Sequence, residues 1–414
     1  MEVKNENTTL KTIPNDVDKE QKGINVPNLR FGEFRGKYNK HKLNECCKLI
    51  TKGTTPHEFT DTGINFVKID AINGVVLDSK KFSYISQQTH IGELKRSILK
   101  EDDVLLAIAG ATVGKHCIVK KTDLPANTNQ ALAIIRTNNK LLPEYLLNVF
   151  DTCLIPEFIK KICASSAQPN LNLQQIANLN LNIPSVQEQN RINKFLNAIN
   201  QRILTQSKII EDLEALKKGI WDNFYKKESL NWNEVKLKNV LTERKTYCIK
   251  DSTYPHATLS KDGISLKTDR YNRDFLVKDD EKNYKVTHLN DICYNPANLK
   301  FGVICRNKLG SAIFSPIYIT YEVNSNFNPA FIEYILTNSS FINYIRKYEQ
   351  GTVYERMAVN SEDFLKGIIK LPPLDIQTKI INLMHSFEFK IQTEKDMLEL
   401  YKKQKAYLLQ NMFI

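Results

Sequence analysis

Pro184-Ser185-Val186-Gln187-Glu188-Gln189-Asn190-Arg191-Ile192 returns as Pro372-Pro373-Leu374-Asp375-Ile376-Gln377-Thr378-Lys379-Ile380, an ungapped displacement of 188 residues. Each copy opens a long helical pattern. After the first, Leu196, Ile199, Ile203, Gln206, Ile210, Leu213, Lys217, Ile220 and Phe224 follow at alternating steps of three and four, the seam spacing of a coiled coil. The second keeps the frame with Met384, Phe387, Ile391, Glu394, Leu398, Tyr401, Lys405, Leu408 and Met412. Residues 187 to 225 make 39 positions, roughly 58 Å of helix at about 1.5 Å per residue. A helix of that length needs a partner along its seam, and the sequence of matched length and spacing is the other copy. An intramolecular antiparallel coiled coil is therefore expected, with Gln206 facing Glu394 as the polar pair that fixes register.

The repeat extends outward from these helices. Tyr38-Asn39-Lys40-His41-Lys42-Leu43 is echoed by Trp232-Asn233-Glu234-Val235-Lys236-Leu237, Asp103-Val104 by Asp291-Ile292, Gly114 by Gly302, and Pro143-Glu144-Tyr145 by Pro329-Ala330-Phe331. Between them lie short β-rich runs: 66–69, 104–109 and 132–135 in the first unit, 292–294 and 317–321 in the second. Turn residues separate the runs, and a mixed sheet is predicted in each unit. The expected fold class is α+β, with two globular α/β units, two long antiparallel coiled-coil helices and an internal pseudo-two-fold repeat. The expected boundaries are a disordered tail over 1–25, a first unit over 26–180, a helix over 181–228, a second unit over 229–368 and a C-terminal helix over 369–414.

With 414 residues, 42% of them apolar, the chain can build more than one core. Its 58 basic and 46 acidic residues give a net charge of +12, and the sequence pI is near 9.1, a balance that favours a polyanionic partner. The excess is spread over both units, with 18 basic against 13 acidic residues in 37–180 and 19 against 16 in 229–368. Cys46, Cys47, Cys117, Cys153, Cys163, Cys248, Cys293 and Cys305 form no Cys-x-x-Cys pair, which argues for reduced thiols rather than a metal site or a disulfide framework. No apolar leader opens the chain and no 18-residue apolar run occurs, so a soluble cytoplasmic protein without a membrane partner is expected.

Three stretches imitate catalytic motifs. Ala109 to His116 approaches a phosphate-cradling loop, but Ala109 and His116 stand where Gly and Ser or Thr are needed, so a strand-connecting turn is predicted. Asn295-Pro296-Ala297-Asn298 lacks the second proline and the aromatic with which amino-methyltransferases hold a flipped base, and no methyl-donor loop precedes it. Asp102-Asp103 and Asp279-Asp280-Glu281 read as surface carboxylates, because no positioned Lys follows on a strand. The positive signals are basic residues interleaved with polar and aromatic ones. Lys80, Lys81, Lys95, Arg96, Lys115, Lys120 and Lys121 in the first unit, and Lys267, Arg270, Tyr271, Arg273, Lys300, Arg306 and Lys308 in the second, are the candidates for DNA contact.

The order of unit and helix, the Pro-x-x-x-x-Gln-x-basic-Ile motifs at Pro184 and Pro372, and the heptads behind them resemble the specificity subunit of Type I restriction-modification enzymes. The resemblance runs from about Val26 onward. Tyr38 stands where the family often has Trp, as Trp232 does in the second copy, and Ile376 stands where Glu188 is acidic. The resemblance implies a non-catalytic reader of double-stranded DNA with two target-recognition domains, one per half of a split site. It also implies helices that act as spacer and as docking surface for two modification subunits. S-adenosylmethionine would be held by those partners, and ATP with Mg by further restriction (translocase) subunits, with no cofactor on this chain. A coiled-coil scaffold and a degenerate methyltransferase or nuclease are the alternative readings.

Overall fold

The computed structural model describes residues 11–12, 25–162, 170–226, 232–249, 254–267, 283–350 and 357–414. The chain forms two compact units, one of residues 1–209 with 394–414 and one of residues 210–393. The expected tail lies outside the described residues apart from Lys11–Thr12, which pair antiparallel with Leu29–Arg30.

In the first unit a four-stranded antiparallel sheet runs in the order His116–Ile118, Val104–Ala107, Leu132–Thr137, Cys47–Lys52. Its central strands are apolar at successive positions because both faces are covered. Val104, Leu106, Ala133 and Ile135 enter one core, while Leu105, Ala107, Leu132 and Ile134 enter another, the two-residue alternation of a strand. A second sheet joins Ala126–Thr128 in parallel to Ile64–Val67, which pairs antiparallel with Ser83–Ile85. The second unit carries its own four-stranded sheet, Leu241–Glu243, Ile319–Val323, Ile292–Tyr294, Ile304–Arg306, in the same order as the first read from its other edge.

The repeated aspartates have a structural role. Asp103 and Asp291 are buried, and each accepts the backbone N–H of the residue three before it, Lys100 at 2.7 Å and His288 at 2.8 Å. Each also takes a two-point bond from an arginine, Arg136 at 2.7 and 2.8 Å and Arg244 at 2.8 and 3.0 Å. The residue before each aspartate is left-handed, Asp102 at φ 67° and Asn290 at φ 72°, a conformation that Asp and Asn tolerate better than most. This corrects the surface reading of Asp103, whose charge is fully enclosed and paired; Asp279, Asp280 and Glu281 lie outside the described residues.

The phosphate-loop imitation is a hairpin turn. Ala107 and Gly114 bond back to back across it, Gly114 N–H to Ala107 O at 2.9 Å and Ala107 N–H to Lys115 O at 2.7 Å. Gly114 sits at φ 94°, a backbone conformation that favours glycine. Asn295 caps the short Pro296–Phe301 turn by accepting the Ala297 N–H at 3.1 Å.

The two repeated motifs open helices of 41 and 39 residues, Val186–Lys226 and Leu374–Met412. In the first unit Gln206 donates to Glu394 O at 3.2 Å and to its carboxylate, and Arg202 lies 5.5 Å over the Tyr401 ring. Leu196 and Ile199 share a core there with Leu408, Leu409 and Met412, so the paired segments run in opposite directions. In the second unit Lys217 meets Glu388 at 2.8 Å, and Trp221 shares a core with Ile380, Ile381 and Met384, again in opposite directions.

Candidate nucleic-acid interface

The head of each long helix is built alike. Gln189 is fully buried; its amide donates to Pro184 O at 3.0 Å and Lys140 O at 2.8 Å, and its carbonyl accepts the Leu142 N–H at 2.8 Å, at the start of the helix Pro143–Phe150. Gln377 donates to Pro372 O at 2.8 Å and accepts the Asn328 N–H at 3.0 Å, at the start of Pro329–Leu336. The glutamine thus satisfies donors left over at a helix N-terminus. It fixes each long helix to the unit beside it.

Around that joint the two units differ. Arg30 grips Glu188 at 2.7 Å through two nitrogens, and the Tyr38 hydroxyl donates to the same carboxylate at 3.1 Å. Hydrogen bonding to Glu188 outweighs desolvation and raises the Arg30 pKa; burial, with the adjacent Glu188 charge, pushes the Tyr38 phenol upward. In the second unit Ile376 is instead partly buried against the apolar core, against which Trp232 also packs. At the position of the ionic Glu188, the second unit thus carries an apolar residue packed on its core. A further tie holds the first unit: Lys405 Nζ reaches Asp151 at 2.9 Å, and His116 Nε2 reaches its other oxygen at 3.1 Å.

The candidate cations are mostly outward. Lys80 and Lys81 are exposed on the turn Ser79–Lys81, Lys95 and Arg96 on the turn Lys95–Ser97, Lys115 after the hairpin, and Lys120 and Lys121 beside Asp123. In the second unit Lys267 and Lys308 are exposed, and Lys300 lies 5.1 Å over the exposed Phe301 ring. Arg306 is drawn inward, bonded to Glu333 at 3.1 Å and to Asn290 at 2.6 Å, which makes it a structural cation in this arrangement. Lys308 reaches the same Glu333 at 3.2 Å with its side chain largely exposed. Arg270, Tyr271 and Arg273 lie outside the described residues.

Of the seam candidates, Leu196, Ile199, Gln206, Ile210 and Ile391 are buried, and Ile203, Leu213, Phe387, Glu394, Leu398 and Tyr401 half-buried. The outer surfaces of the same helices expose Leu204, Leu216, Phe389, Leu400 and Tyr407, with Phe389 78% exposed. Among the described residues no group of three His, Cys, Asp or Glu could hold a metal ion, and no helix is long and apolar enough to cross a membrane.

Sequence reasoning passed over the polar interior beneath Lys95 and Arg96. Asn127, fully buried, donates to Leu94 O at 2.9 Å and Ser97 Oγ at 3.1 Å, and bonds the buried His90 ring. Its one local trace is the Asn-Thr-Asn run at 127–129.

Residues 36–215 match the Type I restriction modification DNA specificity domain. The chain is similar to the EcoBI specificity subunit of Escherichia coli, 26% identical over 33% of this chain and 28% of that protein, and to the MjaVIII specificity subunit of Methanocaldococcus jannaschii, 23% identical over 39% of each. These alignments span well under half of the relatives' own lengths. The fold is shared with a chain from a solved structure on assembly and conformational transition of the type I R-M system, at TM-score 0.58, 15% identity and coverage of 90% of this chain and 96% of that one. It is shared also with the Type-I restriction-modification S subunit from M. genitalium, at TM-score 0.55, 14% identity and coverage of 94% and 99%. The chain is thus similar over part of its length to Type I restriction-modification specificity subunits, its residues 36–215 matching their DNA specificity domain.

Proposed function

We propose that this chain is the sequence-reading subunit of a Type I restriction-modification complex. The observation that carries this reading is the doubled device: two units with the same sheet order, each joined through a buried glutamine to a long helix, and each carrying exposed basic residues. Two similar readers suit a target of two half-sites. Exposed lysines neutralise phosphates and supply affinity, while arginine, asparagine and glutamine at turn tips read base edges. The two helices, as one antiparallel coiled coil, set the interval between half-sites in a pseudo-two-fold arrangement.

The apolar residues on the outer helix surfaces, Leu204, Leu216, Phe389 and Leu400 among them, are the proposed docking surface for two modification subunits. Those partners would hold S-adenosylmethionine and carry out methyl transfer; restriction subunits with ATP and Mg would cleave. The chain itself is proposed to do no chemistry, and to work in the cytoplasm. Incubating DNA and radiolabelled S-adenosylmethionine with the pure chain, the modification subunit, or both tests this. Transfer only with both is expected, and transfer by the chain alone would overturn the division of labour.

A further inference from the structure

In the first unit three segments distant in sequence meet at one edge. Thr54 accepts a bond from Arg96 Nη2 at 3.1 Å, and Thr55 donates to the carboxamide oxygen of Gln130. The backbone beneath is unusually close: a Cβ on Gly53 would lie 2.0 Å from Thr128 O, so the approach admits only glycine, and the Thr54 N–H then bonds Thr128 O at 3.0 Å. The turn that presents Arg96 is anchored from below by Asn127, whose amide ties both Leu94 and Ser97. Thr128, also fully buried, donates to Val67 O at 2.8 Å. A buried polar network satisfied at every named contact rigidifies what it supports.

Above it, Arg96, Thr55 and Gln130 are exposed. Among the described residues the Arg96 guanidinium bonds only Thr54, and the Gln130 amide nitrogen bonds no other group. Forked donors on exposed side chains, held over a rigid floor, are what base reading requires, because a bidentate pair discriminates only when its geometry is fixed in advance. In the second unit Arg244, which follows the corresponding strand Leu241–Glu243, is instead engaged by buried Asp291.

We propose that Arg96 and Gln130 are specificity-determining residues that read purine edges in the major groove of one half-site, Arg96 taking guanine and Gln130 adenine. Thr54 and Thr55 act as positioning residues that hold the two forks. This rests on the DNA-reading function proposed above and assigns it to particular side chains of the first unit.

The test is sequencing of the methylated motif in cells carrying the full chain with its modification subunits, for wild type, Arg96→Ala, Arg96→Lys, Gln130→Ala and, as a charge control at an exposed strand position, Lys48→Ala. Arg96→Ala and Gln130→Ala are each expected to relax one base pair in the same half-site, with discrimination there falling roughly 5- to 150-fold, while the other half stays intact. Arg96→Lys keeps the charge but loses the fork, and is expected to relax the same base pair; Lys48→Ala should leave the motif unchanged. Should a variant methylate nothing, selection from DNA randomised in that half-site with the purified chain gives the readout directly, and wild-type preference retained there overturns the assignment. Unchanged stringency in both alanine variants, or relaxation in the other half, overturns it as well. Absence of any bipartite motif with the wild-type chain would instead sink the DNA-reading function itself.

Discussion

Gln189 and Gln377, 188 residues apart, make the same pair of bonds in their own units, each donating to the carbonyl of the proline five residues before it and accepting the N–H at the head of a short helix. A carboxamide is needed because it offers donor and acceptor together at one buried point.

Replacing either by leucine strands a buried amide and at least one carbonyl. Gln189→Leu and Gln377→Leu are each expected to destabilise the chain by about 1–3 kcal/mol. Urea denaturation should show a lower midpoint with little change in slope, and wild-type midpoints for both would remove the anchoring role.

The ionic cluster at Glu188 makes a sharper prediction. Glu188→Ile, the residue its counterpart carries, leaves Arg30 charged and nearly buried beside an unsatisfied Tyr38 hydroxyl. A loss of about 3–5 kcal/mol is expected. The triple variant Arg30→Leu, Tyr38→Trp, Glu188→Ile should recover part of it, and strict additivity of the single changes in denaturation experiments would refute the coupling.

How much of this was legible beforehand follows from range. Gln189 and the seam from Leu196 to Phe224 lie on one helix, with Pro184 two residues ahead of it, so local spacing displays them. The role of Asp103 is invisible locally, because its partner Arg136 arrives 33 residues later on a neighbouring strand; its paired charge looked like any surface carboxylate. Nor could the sequence show that Arg306 bonds Glu333, 27 residues away. The cluster of Thr54, Arg96 and Gln130 exists only through contacts across 42 and 75 residues, beyond any motif.

The tie at Asp151 should appear in acid. Burial alone would raise this carboxyl, yet hydrogen bonds from His116 and Lys405 hold it below its ordinary value of 3.8. A folded-state pKa lowered in this way contributes stability that is complete well above pH 3.8 and is lost as pH falls through the folded value. Acid titration of wild type and Lys405→Met should therefore converge at the lowest pH, with wild type more stable at neutral pH. A difference independent of pH would contradict the ion-pair origin.

The proposed spacer role concerns length. Four residues inserted in each long helix beside Gln206 and Glu394 add about 6 Å of helix. At about 3.4 Å per base pair, the methylated site should gain one or two unspecified base pairs while both half-sites keep their sequence. An active variant with an unchanged spacer would leave partner docking as the helices' role.

The most direct measurement is the methylome of cells expressing the modification subunits with this chain, without it, and with residues 37–180 exchanged for the corresponding unit of a relative. The account predicts a split motif that appears only when the chain is present and changes in one half alone after the exchange. A motif that is independent of the chain, or one that changes in both halves together, would contradict it.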